Sequence, residues 1–148
     1  MSYIPKYFTT KELVHPDWYA MKGDRAIKWI PDIALKALDE IRAAIGAACT
    51  INDSRGLKNC GLRWYANNPY SKTSRHLQGL AFDLHFYGQN MEKIWYFLYE
   101  NAWKFGIAVM EDWQVTGGMI NKKWIITWIH VELGGILKEG EKPKVVGA

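Results

Sequence analysis

The stretch Ser74-Arg75-His76-Leu77-Gln78-Gly79-Leu80-Ala81-Phe82-Asp83-Leu84-His85-Phe86 decides how this chain is organised. From residue 80 to residue 86 large apolar side chains alternate with a second set, which is Ala81, Asp83 and His85. A period of two predicts a strand with one buried face. Gly79 permits a turn between that strand and His76. The pattern brings an imidazole and a carboxylate to one place, which indicates a zinc site with a third protein ligand and an open position.

A candidate third ligand lies near the other end of the chain, in Trp128-Ile129-His130-Val131-Glu132. The pattern Ser74-x-His76-x-x-Gly79-x-Ala81-x-Asp83, followed downstream by Trp128-Ile129-His130, resembles the zinc D-alanyl-D-alanine carboxypeptidase family. That family includes bacterial cell-wall peptidases and phage peptidase endolysins, and the hedgehog signalling domain shares its fold. The resemblance implies that His76, Asp83 and His130 bind Zn²⁺. It also extends upstream, to the segment Phe8-Thr9-Thr10-Lys11-Glu12-Leu13.

The resemblance implies an α+β fold, in which a small, mainly antiparallel sheet carries the metal site and helices pack on one face. The residues themselves predict the main helices. Pro31-Asp32 suits a helix start, and an apolar stripe follows at Ala34, Leu38, Ile41 and Ile45. Asn90 is placed to cap a helix from about Met91 to Lys104, which Gly106 would end. Residues 48–51 read as a short buried strand.

Two further strands are expected to hold the catalytic base. The first ends at Glu111, and alternation places that residue on one face with Val109 and Trp113. After a turn through residues 116–118, a second strand from Trp124 to Leu133 carries His130. If the two strands pair as a hairpin, Glu111 stands beside the metal ligand, where a general base must be.

The better-known family branches place the acidic base three residues before the last His, and this chain has Thr127 there. Threonine cannot accept a proton from water. Glu111 is therefore the first candidate for the base and Glu132 the second, whereas Asp112 should point the opposite way. Thr127 equally favours an alternative function, a catalytically inactive zinc-bearing peptidoglycan-binding module of the same fold.

The family resemblance also implies an active-site Arg that follows a Ser-Gly-Tyr-Arg-like turn. Asn52-Asp53-Ser54-Arg55-Gly56 resembles that turn loosely, and Arg55 could grip a carboxylate or stabilise an oxyanion. Pairing of Arg55 with Asp53 in the loop is the alternative. His85 shares the face of Asp83 and is either a supporting or a solvated residue. An irregular loop over residues 57–73 offers side chains that either contact substrate or anchor the loop: Arg63, Trp64, Tyr65 and Tyr70.

The length of 148 residues fits one domain, residues 1–148, in which about residues 134–148 are expected to be a mobile tail. No run of about 18 apolar residues exists, so no membrane partner is predicted. The start, Met1-Ser2-Tyr3-Ile4-Pro5-Lys6, has no signal-peptide core. The expected location is the cytoplasm of the producing cell, with action at the bacterial cell wall after release, as for a phage endolysin, or from a virion.

The net charge of +4 and the pI near 9.0 could favour an anionic partner or simply reflect a solvated basic surface. The charges are scattered, and no nucleic-acid-binding motif is present, so no nucleic acid partner is expected. Cys49 and Cys60 cannot form a disulfide framework, and a buried free thiol is expected at Cys49. The predicted partner is the peptidoglycan stem peptide, and the predicted activity of this monomer is zinc-dependent hydrolysis of one of its peptide bonds.

Overall fold

The computed structural model describes residues 3–63 and 74–147, and it confirms the α+β fold. Short helices come first in the chain, and a small sheet is assembled from its second half. The helices are α1 (Thr10–Leu13), α2 (Pro16–Lys22), a 3-10 helix (Gly23–Trp29), α3 (Asp32–Ile45), α4 (Met91–Glu100) and α5 (Ala102–Phe105). The strands are β1 (Ala81–Leu84), β2 (Val109–Glu111), β3 (Gly117–Ile120), β4 (Lys123–Ile126), β5 (Ile129–Glu132) and β6 (Lys144–Val146).

Four strands form the main sheet in the order β1-β5-β2-β6. The β1–β5 and β2–β5 pairs are antiparallel, and β6 runs parallel to β2. The strands β3 and β4 form a separate antiparallel hairpin between β2 and β5 in the chain. The strand that carries Glu111 pairs with the strand that carries His130, as the hypothesis for the base requires, although β3 and β4 lie between them in the chain.

The two faces of the β1–β5 pair differ in the way that the alternation predicts. Phe82 and Leu84 lie opposite Val131 and Ile129, and all four side chains are buried. They join the cluster that contains Leu38 of α3 and the apolar face of α4. Burial of one such side chain stabilises the fold by about 1.5–3 kcal/mol. The other face of the pair carries Asp83 opposite His130.

The helix boundaries follow from local chemistry. A capping box joins Thr9 to Glu12 at the start of α1. The helix α3 begins at Asp32, as predicted, and ends where Gly46 adopts a φ of +72°. The Asn90 side chain accepts a hydrogen bond from the Lys93 N–H, as predicted for the cap of α4. Within the described residues, none of the helices combines the length and the apolar character that a bilayer crossing requires.

Several elements differ from the sequence-based expectations. The strand expected from Trp124 to Leu133 is interrupted at Thr127 and Trp128, whose N–H groups both bond to the Thr116 carbonyl. The helix expected from Met91 to Lys104 is interrupted at Asn101, which separates α4 from α5. The expected turn near residues 116–118 falls within strand β3.

Two further expectations concern the edges of the main sheet. Residues 48–51 form only an isolated bridge, between Thr50 and His85. The tail is not a free end, because Lys144–Val146 forms β6 and pairs with β2, and Pro143 is buried. The edge of β2 offers hydrogen-bond partners to residues 144–146, and the sequence of this segment, which has no periodicity, does not predict the pairing. Cys49 and Cys60 are free thiols, as predicted for Cys49, although both are only partly buried.

Candidate metal centre

Three side chains converge on one point: His76, Asp83 and His130 each offer one ligand atom, and these atoms all lie within 4.8 Å of one another. Asp83 Oδ1 is 2.8 Å from His130 Nδ1 and 3.6 Å from His76 Nε2. Both imidazoles are buried, and Asp83 is nearly so. The three residues predicted as ligands therefore form a group that could hold a metal ion.

Strand pairing explains the contact between Asp83 and His130. The two residues lie directly opposite each other in the antiparallel β1–β5 pair and share one face of the sheet. Side chains of such pairs are about 5 Å apart at Cβ, which lets a carboxylate and an imidazole touch. If β5 shifted its register by one residue, His130 would turn toward the core and lose its contact with Asp83.

His76 reaches the same point from the turn that precedes β1. The backbone N–H of His76 donates to the Ser74 hydroxyl at 3.2 Å, and the Gly79 N–H donates to the His76 carbonyl at 3.3 Å. Gly79 has a φ of +68°, and a Cβ there would lie 2.7 Å from the Trp29 carbonyl oxygen. The motif therefore needs glycine at this position both for its backbone conformation and for space.

Each imidazole uses its second ring nitrogen on a protein acceptor. His76 Nδ1 lies 3.0 Å from the Gly61 carbonyl oxygen, and His130 Nε2 lies 3.1 Å from Glu132 Oε2. Histidines that bind metals usually donate their other N–H to a carbonyl or a carboxylate. The arrangement leaves His76 Nε2 and His130 Nδ1 as the nitrogens that face Asp83. Two imidazole nitrogens and one carboxylate oxygen are a donor set that fits zinc.

The charges of the site are strongly coupled. Burial would favour neutral side chains, but hydrogen bonds with Asp83 and Glu132 raise the pKa of His130 to about 9. Burial acts on Asp83 too, yet the hydrogen bonds with His130 and His76 hold the pKa of that carboxyl well below its usual range. The hydrogen bond with His130 likewise lowers the pKa of Glu132. Asp83 and Glu132 are therefore anionic at neutral pH. Without an ion, the His130 ring between them is in its doubly protonated, cationic form.

The two candidate bases lie on opposite edges of the His130 ring. Glu111 Oε1 is 3.9 Å from Nδ1, the nitrogen that faces Asp83. Glu132 contacts Nε2 on the far edge. The strand register explains the position of Glu111. Val109 lies opposite Glu132 and Met110 lies opposite Val131, so the next residue, Glu111, lies near His130. The Asp112 carboxylate accepts a hydrogen bond from the Gln114 N–H, and Thr127 is exposed.

The Arg63 guanidinium lies beside the candidate ligands, with Nη2 3.8 Å from Asp83 Oδ2. Arg63 is buried, whereas Arg55 is exposed and its N–H donates to Asp53 Oδ1 at 2.8 Å. The sequence contained a usable signal. Gly61-Leu62-Arg63 keeps the Gly-apolar-Arg order of the expected turn, and residues 52–56 do not.

His85 lies on the same strand as Asp83 but is held by other groups. Its Nδ1 is 3.1 Å from the Thr50 carbonyl oxygen, its ring stacks on Tyr87, and burial lowers its pKa. His85 is outside the group of three that could share an ion. The expected contacts of Trp64, Tyr65 and Tyr70 lie outside the described residues.

In comparisons with protein-family models, with curated proteins and with solved structures, nothing matches the chain. A functional assignment therefore depends on the motif and on the geometry of the site.

Proposed function

We propose that this chain is a zinc-dependent peptidase that hydrolyses a peptide bond of the bacterial peptidoglycan stem. The observation that carries the proposal is the convergence of His76, Asp83 and His130 within 4.8 Å, with Glu111 3.9 Å from the inner nitrogen of His130. Two imidazoles and one carboxylate as ligands, with a second carboxylate beside them, are suited to metal-assisted hydrolysis. The substrate class comes from the resemblance of the motif.

Zinc is the proposed ion, and His76, Asp83 and His130 would hold it through the atoms that face one another, which are Nε2, Oδ1 and Nδ1. Such an ion supplies Lewis acidity and makes a water molecule a better nucleophile at neutral pH. The protein contributes ligands that are already oriented. Asp83 is anionic at neutral pH, and the contact of each histidine with a carbonyl or carboxylate aims the other nitrogen inward.

Glu111 is the proposed general base. Its carboxylate lies on the ligand side of His130, partly exposed to solvent, so water and a substrate carbonyl can approach it. Glu111 would accept a proton from the attacking water and deliver it to the leaving amine. Glu132 is less suited to this role, because it contacts the ring nitrogen on the far edge.

Arg63 takes the role that the sequence suggested for Arg55. Its guanidinium is 3.8 Å from the outer oxygen of Asp83, so it lies beside the site and is buried there. A cation in this position can bind a carboxylate of the stem peptide or stabilise the oxyanion that forms during hydrolysis. We propose that the monomeric protein acts at the cell wall after release from the producing cell.

The second candidate is an inactive zinc-bearing module that binds peptidoglycan. The exposed Thr127 at the position of the usual acidic base favours this alternative. Both candidates require the same metal ligands. They differ only in whether Glu111 transfers protons.

Hydrolysis of purified peptidoglycan separates the two candidates. Zinc-loaded native protein, Glu111→Gln and Glu139→Gln would be compared, with released fragments identified by mass spectrometry. We expect native protein and Glu139→Gln, a matched change of an exposed carboxylate, to release fragments. Loss of a general base slows catalysis about 10²–10⁴-fold, so Glu111→Gln should be nearly inactive while it still binds zinc. Peptidoglycan binding without release by the native protein would establish the inactive module.

The fragment masses also identify the bond. The candidates are a D-Ala-D-Ala terminus, an L-Ala-D-Glu link in the stem and a cross-bridge. Each cut leaves a different pair of new termini, so one digest distinguishes them.

A further inference from the structure

The ring of His130 is held on both edges. Nδ1 faces Asp83 Oδ1 at 2.8 Å, and Nε2 faces Glu132 Oε2 at 3.1 Å. The ring is buried, and Glu132 is only 22% exposed, so water competes weakly for these contacts. Glu132 lies two residues after His130 on the same face of β5, which explains how its side chain reaches the ring.

This contact decides which nitrogen of His130 can bind an ion. A neutral imidazole carries one hydrogen, and the nitrogen that binds a metal must be the other one. A carboxylate at Nε2 accepts a hydrogen bond and therefore keeps the hydrogen on Nε2. Nδ1, which faces Asp83 and His76, is then the nitrogen that would give up its hydrogen and serve as the ligand atom when an ion binds.

Glu132 itself is held by a residue of the histidine-bearing turn. Arg75 Nε is 3.8 Å from Glu132 Oε1, the carboxylate oxygen that does not touch His130. Arg75 Nη1 donates to Gln78 Oε1 at 2.7 Å, and the Arg75 carbonyl accepts the N–H groups of Leu80 and Ala81. Arg75 is adjacent to His76 in the chain, so its contact with Glu132 joins the turn that carries one histidine to the strand that carries the other.

We propose that Glu132 and Arg75 are positioning residues of the metal centre. Glu132 fixes the tautomer and the orientation of His130, and Arg75 holds Glu132 away from the ion and fastens the turn to β5. The inference rests on the metal site of the proposed function, but it concerns ion binding and not hydrolysis. Arg75 is 53% exposed and its ion pair is long, so its effect is smaller than that of Glu132.

Zinc affinity measured by competition with a chromophoric chelator tests the proposal. We expect Glu132→Ala to bind zinc about 10–100-fold more weakly than native protein, as is usual when the partner of a ligating histidine is removed. Glu132→Gln keeps an acceptor oxygen without the charge, so its loss should be smaller. The zinc affinity of Arg75→Gln should be lower by a few-fold at most, and that of Glu139→Gln should equal the affinity of native protein. Circular dichroism of each variant checks that it is folded.

Long-range ¹H–¹⁵N NMR spectra of the zinc-loaded protein provide a second measurement. We expect the hydrogen of His130 on Nε2 in native protein and in Glu132→Gln. Native affinity in folded Glu132→Ala, or a hydrogen on Nδ1 of His130 in native protein, would overturn the proposal. A native protein that does not bind zinc would also overturn the proposal.

Failure of this inference and failure of the proposed function give different results. Native protein that hydrolyses peptidoglycan while Glu132→Ala keeps native zinc affinity would refute only the positioning role. Native protein that binds zinc without hydrolysing peptidoglycan, together with a weakened Glu132→Ala, would refute only the peptidase.

Discussion

Two glycines let the segments around His76 pack closely against other parts of the backbone. Gly61 offers its carbonyl to His76 Nδ1, and a Cβ on Gly61 would lie 2.2 Å from the Leu13 carbonyl oxygen. Gly79 closes the turn after His76, with a φ of +68°. In each case a side chain would push apart two backbone segments, one of which fixes the position of His76. At this scale, residues that bear no chemistry are as necessary as the ligands.

Gly79→Ala is expected to destabilise the protein by about 2–4 kcal/mol, because left-handed strain adds to a clash with the Trp29 carbonyl oxygen. Gly88→Ala is the matched control, since Gly88 has a similar φ of +75° but nothing within 4 Å of the added Cβ. It should cost only about 1–2 kcal/mol. Urea denaturation of the two variants measures both values. Equal losses would show that the close approach to Trp29 is unimportant.

The proton on His130 predicts a pH dependence of zinc binding. In the ion-free protein, contacts with Asp83 and Glu132 raise the pKa of His130 to about 9, and an ion can bind Nδ1 only after a proton leaves the ring. Below pH 9, the apparent zinc affinity should fall about tenfold for each unit by which the pH is lowered. Calorimetric titrations between pH 6 and 8, in buffers of different ionisation enthalpy, measure affinity and the proton released. Affinity independent of pH in this range would contradict the expected protonation.

Among the elements, β5 is the centre of the site. It pairs with β1 on one side and β2 on the other, and it places His130 beside both Asp83 and Glu111. The position of the proposed base, Glu111, therefore depends on β2, a strand of only three residues. β6 covers the other edge of β2, with bonds from the Lys144 N–H to the Ala108 carbonyl and from the Asp112 N–H to the Val146 carbonyl. The end of the chain thus supports the strand that carries Glu111.

A protein that ends at Pro143 should be less stable by about 1–3 kcal/mol, because it lacks the hydrogen bonds between β6 and β2. We also expect lower peptidase activity with nearly unchanged zinc affinity, since β6 supports Glu111 and not the three ligands. Thermal unfolding, hydrolysis and zinc titration measure the three effects, and removal of Ala148 alone is the control. If activity survives the truncation in full, β6 has no role in placing the base.

In the whole molecule, the N-terminal segment and the metal centre are joined through the backbone. The Leu62 N–H donates to the Leu13 carbonyl at 2.7 Å, and Gly61, its neighbour, accepts His76 Nδ1. The N-terminal segment is also joined to α3, where the Asp39 carboxylate accepts hydrogen bonds from the N–H groups of Lys6 and Tyr7. The ligands themselves come from a turn and two strands, so an ion would join parts of the chain that are far apart in sequence.

Zinc should therefore stabilise the folded protein as a whole. A ligand that binds only the folded state adds about 4 kcal/mol when its free concentration is about 1,000 times its Kd. We expect the melting temperature to rise with zinc and to fall when a chelator is added. His76→Ala and His130→Ala should lose this response, whereas Glu111→Gln should keep it. An unchanged melting temperature of the native protein across a zinc titration would argue against the metal centre.

The sequence by itself determined the features that depend on neighbours in the chain. Alternation from residue 80 to residue 86 separates the buried side chains from Asp83, because a strand repeats every two residues. The cap at Asn90 and the helix end at Gly106 were likewise predictable, since each depends on the hydrogen bonds or the φ of a few adjacent residues. The motif also predicted His76, Asp83 and His130 as candidate ligands, and the structure brings these three side chains together.

Tertiary structure alone decided the choices between similar residues. Glu111 and Glu132 were both candidates for the base. Glu132 reaches Nε2 of His130 along β5, whereas the pairing of β2 with β5 brings Glu111 to within 3.9 Å of Nδ1. The same holds for the edge strand β6, which is made from a tail without periodicity. The physical reason is that these contacts join residues distant in the chain, and a local pattern records which face a side chain takes but not which partner it meets there.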